Sequence, residues 1–171
     1  MIAKESEKHR VTRMMSRLKP LLLLLTLLIW LSSTKADDNL GWHGSTNDGG
    51  ATLFFGIPNT DYAPLSFACS AQDDELTFTH TRHSLTARKS IHVRVELQAD
   101  NVAVPIDTVG ARLDLDDTFM MQGKTTLDDR LIALLTSRGT LLVFVDDVAQ
   151  AFPLDGARQA VSYLLNVCRR Q

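Results

Sequence analysis

Two cysteines are the residues whose chemistry this sequence constrains most. Cys69 and Cys168 are the only ones among 171 residues. Cys69 closes an alternation in which Leu65 and Phe67 share its side while Ser66 and Ala68 take the other, so a strand here turns the thiol inward. Cys168 extends a helical stripe of Ala157, Ala160, Val161, Leu164 and Leu165. If that helix covers the sheet, both sulfurs enter one core. In an oxidising compartment such a pair forms and keeps a structural disulfide. The alternative is two buried free thiols. Redox catalysis is disfavoured, because catalytic dithiols are usually spaced as Cys-x-x-Cys.

Histidine is the next candidate. His80 and His83 form a His-x-x-His, which on a helix would aim both rings at one metal. Here the segment reads as a strand, and an odd offset sends the two rings to opposite faces. No Glu stands between them as in a metalloprotease helix. His43 and His92 add no spacing that a metal needs, and all four are expected to be solvated. Asp114, Asp116 and Asp117 lack the glycine and the distal Glu of a calcium loop, so a wet sheet face is the expectation there. Beyond the leader, in residues 37–171, neither a Gly-x-Ser-x-Gly elbow, nor a phosphate-cradling glycine loop, nor a Ser-x-x-Lys is present. The expectation is a chain without catalytic residues, bound metal or cofactor.

The elements that must position the cysteines begin with what is removed. Residues 20–31 read Pro-Leu-Leu-Leu-Leu-Leu-Thr-Leu-Leu-Ile-Trp-Leu. A membrane-spanning helix needs about 20 apolar residues, whereas the apolar core of a secretory signal needs about 7–15. Lys4, Lys8, Arg10, Arg13, Arg17 and Lys19 precede the run, and Thr34-Lys35-Ala36 follows with small residues suited to a cut after Ala36. Residues 1–36 are therefore expected to be a signal peptide; Met14 and Met15 are alternative starts to Met1, and an uncleaved anchor is the alternative fate. The chain is then periplasmic or secreted, touching the membrane only through that segment.

The first 36 residues hold 7 of the 18 Lys and Arg and 2 of the 20 Asp and Glu, which leaves 11 against 18, a net of −7. Nucleic acid and anionic membranes both need a basic face, so neither is an expected partner. A basic protein fits better. Collagen, coiled coil, multi-span membrane protein and long disordered chain are excluded by composition.

Residues 37–50 are rich in Gly, Asn and Asp around Trp42 and read as a loosely held arm, with Trp42 pinned onto the core. Short apolar stretches between turn residues then predict strands at 51–57, 65–69, 75–81, 91–97, 102–109 and 112–116, with a short apolar piece at 119–121. Strand 91–97 is the clearest, with Ile91, Val93, Val95 and Leu97 opposed to His92, Arg94 and Glu96. The period changes at Leu127, Leu131, Leu134 and Leu135, which predicts a helix capped by Thr125 or Thr126 and ended by Gly139. Strands at 140–145 and 151–154 precede a last helix capped by Asp155. Residues 51–171 are expected to form one α+β domain, an antiparallel sheet covered by one or two C-terminal helices and closed by one disulfide.

This layout resembles a loose group of small exported bacterial proteins, some associated with type VI secretion. The residues that carry the likeness are Trp42, Leu65-Ser-Phe-Ala-Cys69, the strand 91–97, Phe152-Pro-Leu-Asp-Gly156 and Cys168. The resemblance implies an exported fold rather than a reaction. The first functional expectation is a non-enzymatic accessory or binding protein. The second, from the net charge of −7 and the small disulfide-closed sheet, is an inhibitor of a basic periplasmic hydrolase such as lysozyme. An enzyme with a dispersed site is the third. An inhibitor needs a projecting loop, for which 59–64 and 83–89 are the candidates.

Overall fold

Period-two alternation becomes nine strands of a single antiparallel sheet: β1 Gly41–Asn47, β2 Gly50–Gly56, β3 Leu65–Ser70, β4 Glu75–His83, β5 Ile91–Ala99, β6 Val102–Arg112, β7 Thr118–Thr126, β8 Thr140–Val145 and β9 Val148–Pro153. Two helices accompany the sheet among the described residues, α1 Asp129–Leu135 and α2 Ala157–Val167. This computed structural model describes residues 39–71, 73–83, 91–113 and 118–169. The sheet order is β1-β2-β3-β4-β7-β6-β5-β8-β9, so β4 and β5 are neighbours in sequence but not in space. Instead β4 pairs over its whole length with β7, from Glu75 opposite Thr126 to His83 opposite Thr118.

Two-residue turns set the register of two hairpins, β5–β6 and β8–β9. Ala99 pairs with Val102 and Val145 with Val148, and each turn opens with an aspartate at positive φ, 48° at Asp100 and 54° at Asp146. Asp tolerates that left-handed backbone better than most side chains. Alternation then drives one face inward. Leu53, Leu65, Phe67, Leu76, Phe78, Val95, Leu97, Leu141 and Val143 are all fully buried.

The expected cover of helices is only partial. The sheet curls into a half-barrel, and much of the core is its own inward side chains, as where Phe67 meets Phe78 with centroids 5.4 Å apart. Helix α2 lies against β1, β2 and β3, while α1 packs on β5 and β6. A curled sheet of nine strands has more inner surface than two short helices can hide.

Four local expectations are corrected. The loosely held arm is strand β1, paired residue by residue with β2 from Gly41–Gly56 to Asn47–Gly50. Its Gly, Asn and Asp content reports the hairpin turn, where the Gly49 N–H donates to Asn47 Oδ1 at 3.0 Å. The short piece 119–121 is the start of a strand that continues to Thr126, so neither Thr125 nor Thr126 caps α1. Asp128 does, its carboxylate accepting from the Leu131 N–H at 2.8 Å. Helix α1 ends at Leu135 with Thr136 as C-cap, and Gly139 serves another contact: its carbonyl accepts from the Leu154 N–H at 2.8 Å. Asp155 does not cap α2, because Gly156, at φ 79°, holds that position. Strand β6 stops at Arg112, Leu113 is 40% exposed, and 114–117, with Asp114, Asp116 and Asp117, lie outside the described residues.

Candidate functional site

Cys69 and Cys168 are joined by a disulfide, with alpha carbons 5.9 Å apart and 99 residues between them. Cys69 stands near the end of β3 opposite Ala51 of β2, on the same side as Leu65 and Phe67. Cys168 is the fully buried C-cap of α2, its N–H donating to the Leu164 carbonyl at 2.7 Å. The helix is thus tied to the sheet at its far end, as expected from the two apolar faces. A disulfide of this kind suits an oxidising compartment outside the cytoplasm.

At the near end of the helix a second closure holds the half-barrel. The Trp42 indole N–H donates to the Pro153 carbonyl at 2.7 Å, joining β1 to β9, the two ends of the sheet order. Aromatic rings continue the seam inward. Trp42 meets Phe55 edge-on at 5.6 Å, Phe55 meets Phe152 at 5.2 Å, and Phe152 meets the His80 ring at 5.9 Å. Edge-to-face pairs at these separations are mutually favourable. The pinning expected of Trp42 is this seam, and Trp42 is 6% exposed.

Beside the seam, β1 and the first turns of α2 frame a groove of about 260 Å³ lined by Trp42, His43, Gly44, Gly156, Gln159, Ala160 and Tyr163. Gly44 makes this approach possible: a Cβ there would collide with the Tyr163 ring and the Ala160 carbonyl. The groove offers an imidazole, an amide and a phenol to a ligand. The His43 Nε2–H is held by the Asn39 carbonyl at 3.0 Å, and its ring lies 5.3 Å from that of Phe54.

Gly41 pairs with Gly56, so the loop after β2 emerges at this same end of the sheet. Of the two loops singled out from sequence, 59–64 is held in one shape by its own hydrogen bonds. Thr60 Oγ1 donates to the Ile57 carbonyl at 2.7 Å and accepts from the Tyr62 N–H at 3.1 Å, while the Ile57 N–H reaches the Tyr62 carbonyl at 3.0 Å. Asn59 sits at φ 62°, a backbone that asparagine accepts. Gly56 again lets the chain pass, since a Cβ would strike the backbone of Tyr62 and Ala63. The result presents an exposed Asp61 and a Tyr62 ring at 50% exposure. Of the other loop, only His83 belongs to the described residues.

The histidines divide. His83 and His92 are exposed and His43 is half-buried. His80 and His83 do face opposite ways, but His80 is fully buried, against the expectation of a solvated ring. Its Nδ1–H donates to the Pro64 carbonyl at 2.9 Å, an oxygen that also accepts from the Thr81 N–H. Its Nε2 has no partner. Burial pushes the ring below the usual histidine range; the Pro64 hydrogen bond pulls it back, and the charge of Arg82 lowers it further. Among the described residues no three His, Cys, Asp or Glu stand together to hold a metal.

Sequence reasoning placed the disulfide but missed the groove and the buried His80. A glycine leaves no mark in a hydrophobic pattern, so Gly44 gave no sign that a helix lies on it. His80 could have been found: it falls in period two with Leu76 and Phe78. No family model matches the chain, and comparison with curated proteins and with solved structures finds no match.

Proposed function

We propose that this chain is a non-enzymatic binding protein, exported by its leader, cut near Ala36, and working in the periplasm or as a secreted protein. The observation that carries the reading is a shared end of the fold. There the self-bonded loop 57–64 and the groove between β1 and α2 stand beside each other on a scaffold closed by a disulfide and by the Trp42–Pro153 bond. Rigid presentation of an aromatic anchor beside a polar cleft favours binding, because little side-chain freedom is lost on association. The likeness to small exported bacterial proteins supports the same reading. The test uses Tyr62→Ala and Tyr163→Ala in the full chain. Both are expected to keep wild-type thermal stability while losing capture of a periplasmic protein that wild type retains. Capture unchanged in both would reject this end of the molecule as the binding face.

The inhibitor reading is favoured by Asp61 and Tyr62 themselves, an acid and an aromatic ring displayed together on an ordered loop of an acidic chain. A basic hydrolase such as lysozyme would be attracted by the charge and blocked by the loop. Peptidoglycan hydrolysis by lysozyme, measured with and without the protein at low and high salt, checks this. Inhibition weakened by salt and by Asp61→Asn is expected, and undiminished hydrolysis would reject it.

A further inference from the structure

We propose that His80 is an acid-sensitive latch on the seam where β9 closes against β1 and β2: protonation of its ring opens that seam while the Cys69–Cys168 bond keeps α2 on β3. In the closed fold the ring is fully buried, with one nitrogen satisfied by Pro64 and the other facing no acceptor. A neutral imidazole tolerates this, since its unpaired Nε2 is only a lone pair. An imidazolium carries a second N–H there, and the cost of burying an unpaired charge far exceeds that of an unpaired acceptor.

The groups around the ring supply no counter-charge. Leu65 stands opposite on β3 and Met121 opposite on β7, Pro64 leads into β3, and Phe152 faces the ring from β9. None of these titrates. Arg82, two residues further along β4, is a cation and disfavours a second positive charge. Water must therefore reach Nε2, and the strands differ in how readily they yield. Strands β3 and β7 are each hydrogen-bonded to a neighbour on both sides, whereas β9 is the last strand of the order, paired only with β8. It is otherwise held by the Trp42 hydrogen bond and by edge-to-face rings. Phe152 is thus the neighbour that moves. Because Phe152 packs on Phe55, and Phe55 on Trp42, its displacement reaches the indole.

The direction with pH follows from linkage. The closed form holds His80 below its ordinary value, so the contribution is fully present above about pH 6.5 and is lost as the pH falls from there toward the closed-form value. The opened form takes up the proton that the closed form refuses.

The two tryptophans are Trp30 and Trp42, so Trp30→Phe in the full chain makes Trp42 the sole reporter. Its emission is followed from about pH 7.5 to about pH 4.5, on either side of the ordinary histidine value. The expected result is a reversible red shift and faster amide exchange in β9, with far-UV dichroism unchanged. Both changes vanish in His80→Gln, or in His80→Met if the first variant does not fold. Three results of this titration would overturn the proposal, and a fourth comes from NMR. One is a flat emission profile, another is a shift that persists in the folded variant, and the third is loss of the sheet signal in the same step. In the wild type, protonation of the His80 ring seen by NMR without movement of Trp42 would overturn it equally.

Discussion

Trp42 and Pro153 belong to strands at opposite ends of the sheet order, yet the indole N–H of one reaches the carbonyl of the other at 2.7 Å, across 111 residues of chain. The two outermost strands of an open sheet would ordinarily be far apart. Right-handed twist accumulated over nine strands brings them round, and this bond fastens the curl. Trp42→Phe keeps a ring against Phe55 but leaves the Pro153 carbonyl without its donor. The expected loss is about 1–3 kcal/mol in urea unfolding, the cost of an unsatisfied polar group. Trp42→Ala also empties the aromatic seam and should cost about 3–5 kcal/mol.

Removing the disulfide tests the other closure. The loop it closes spans nearly the whole domain, with a sequence separation of 99, and the chain-entropy estimate for about 100 residues is about 4–5 kcal/mol, an upper figure where native strain intrudes. Cys69→Ser and Cys168→Ser should each lose a few kcal/mol under oxidising conditions, and the double variant little more than either single. Under a reducing agent the wild type should fall toward the variants. Equal stability with and without reductant would contradict this.

Gly44 separates β1 from α2, and its replacement should be felt on both sides of the groove. In Gly44→Ala the new methyl meets a ring that can swing, Tyr163 at 41% exposure, and a backbone carbonyl that cannot, Ala160. A destabilisation of about 1–3 kcal/mol is expected, as for other overpacked sites. Adding Tyr163→Ala should recover only part of it, because the carbonyl remains. Full recovery would mean that the ring alone sets the spacing.

Helix capping gives a paired comparison. Asp128 accepts from the Leu131 N–H, whereas Gly156, not Asp155, occupies the cap position of α2. Asp128→Ala should cost about 1 kcal/mol, and Asp155→Ala should stay within about 0.5 kcal/mol as an ordinary surface change. Thermal or urea unfolding of the two variants side by side measures the difference. Equal losses would show that Asp155 supports its helix by another route.

Local pattern alone determined much of this protein. Period-two alternation places the strand through Val93, Val95 and Leu97, and the strand of residues 140–145 coincides with β8. The helical stripe from Ala157 to Cys168 and the inward face of Leu65, Phe67 and Cys69 together pointed to the disulfide, with two free thiols as the alternative. These features are legible because each depends on residues a few positions apart. What the tertiary structure decided depends on pairs far apart in sequence. Pattern cannot say that β4 pairs with β7 and not β5, because either partner would bury the same face. It cannot say that Gly41–Asn47 is a strand, because its pairing with β2 and the burial of Trp42 against β9 override poor strand propensity. Nor can it say that His80 is buried, since a histidine at an inward position is stable only if a carbonyl such as that of Pro64 takes its N–H, and that carbonyl is brought there by the pairing of β3 with β4.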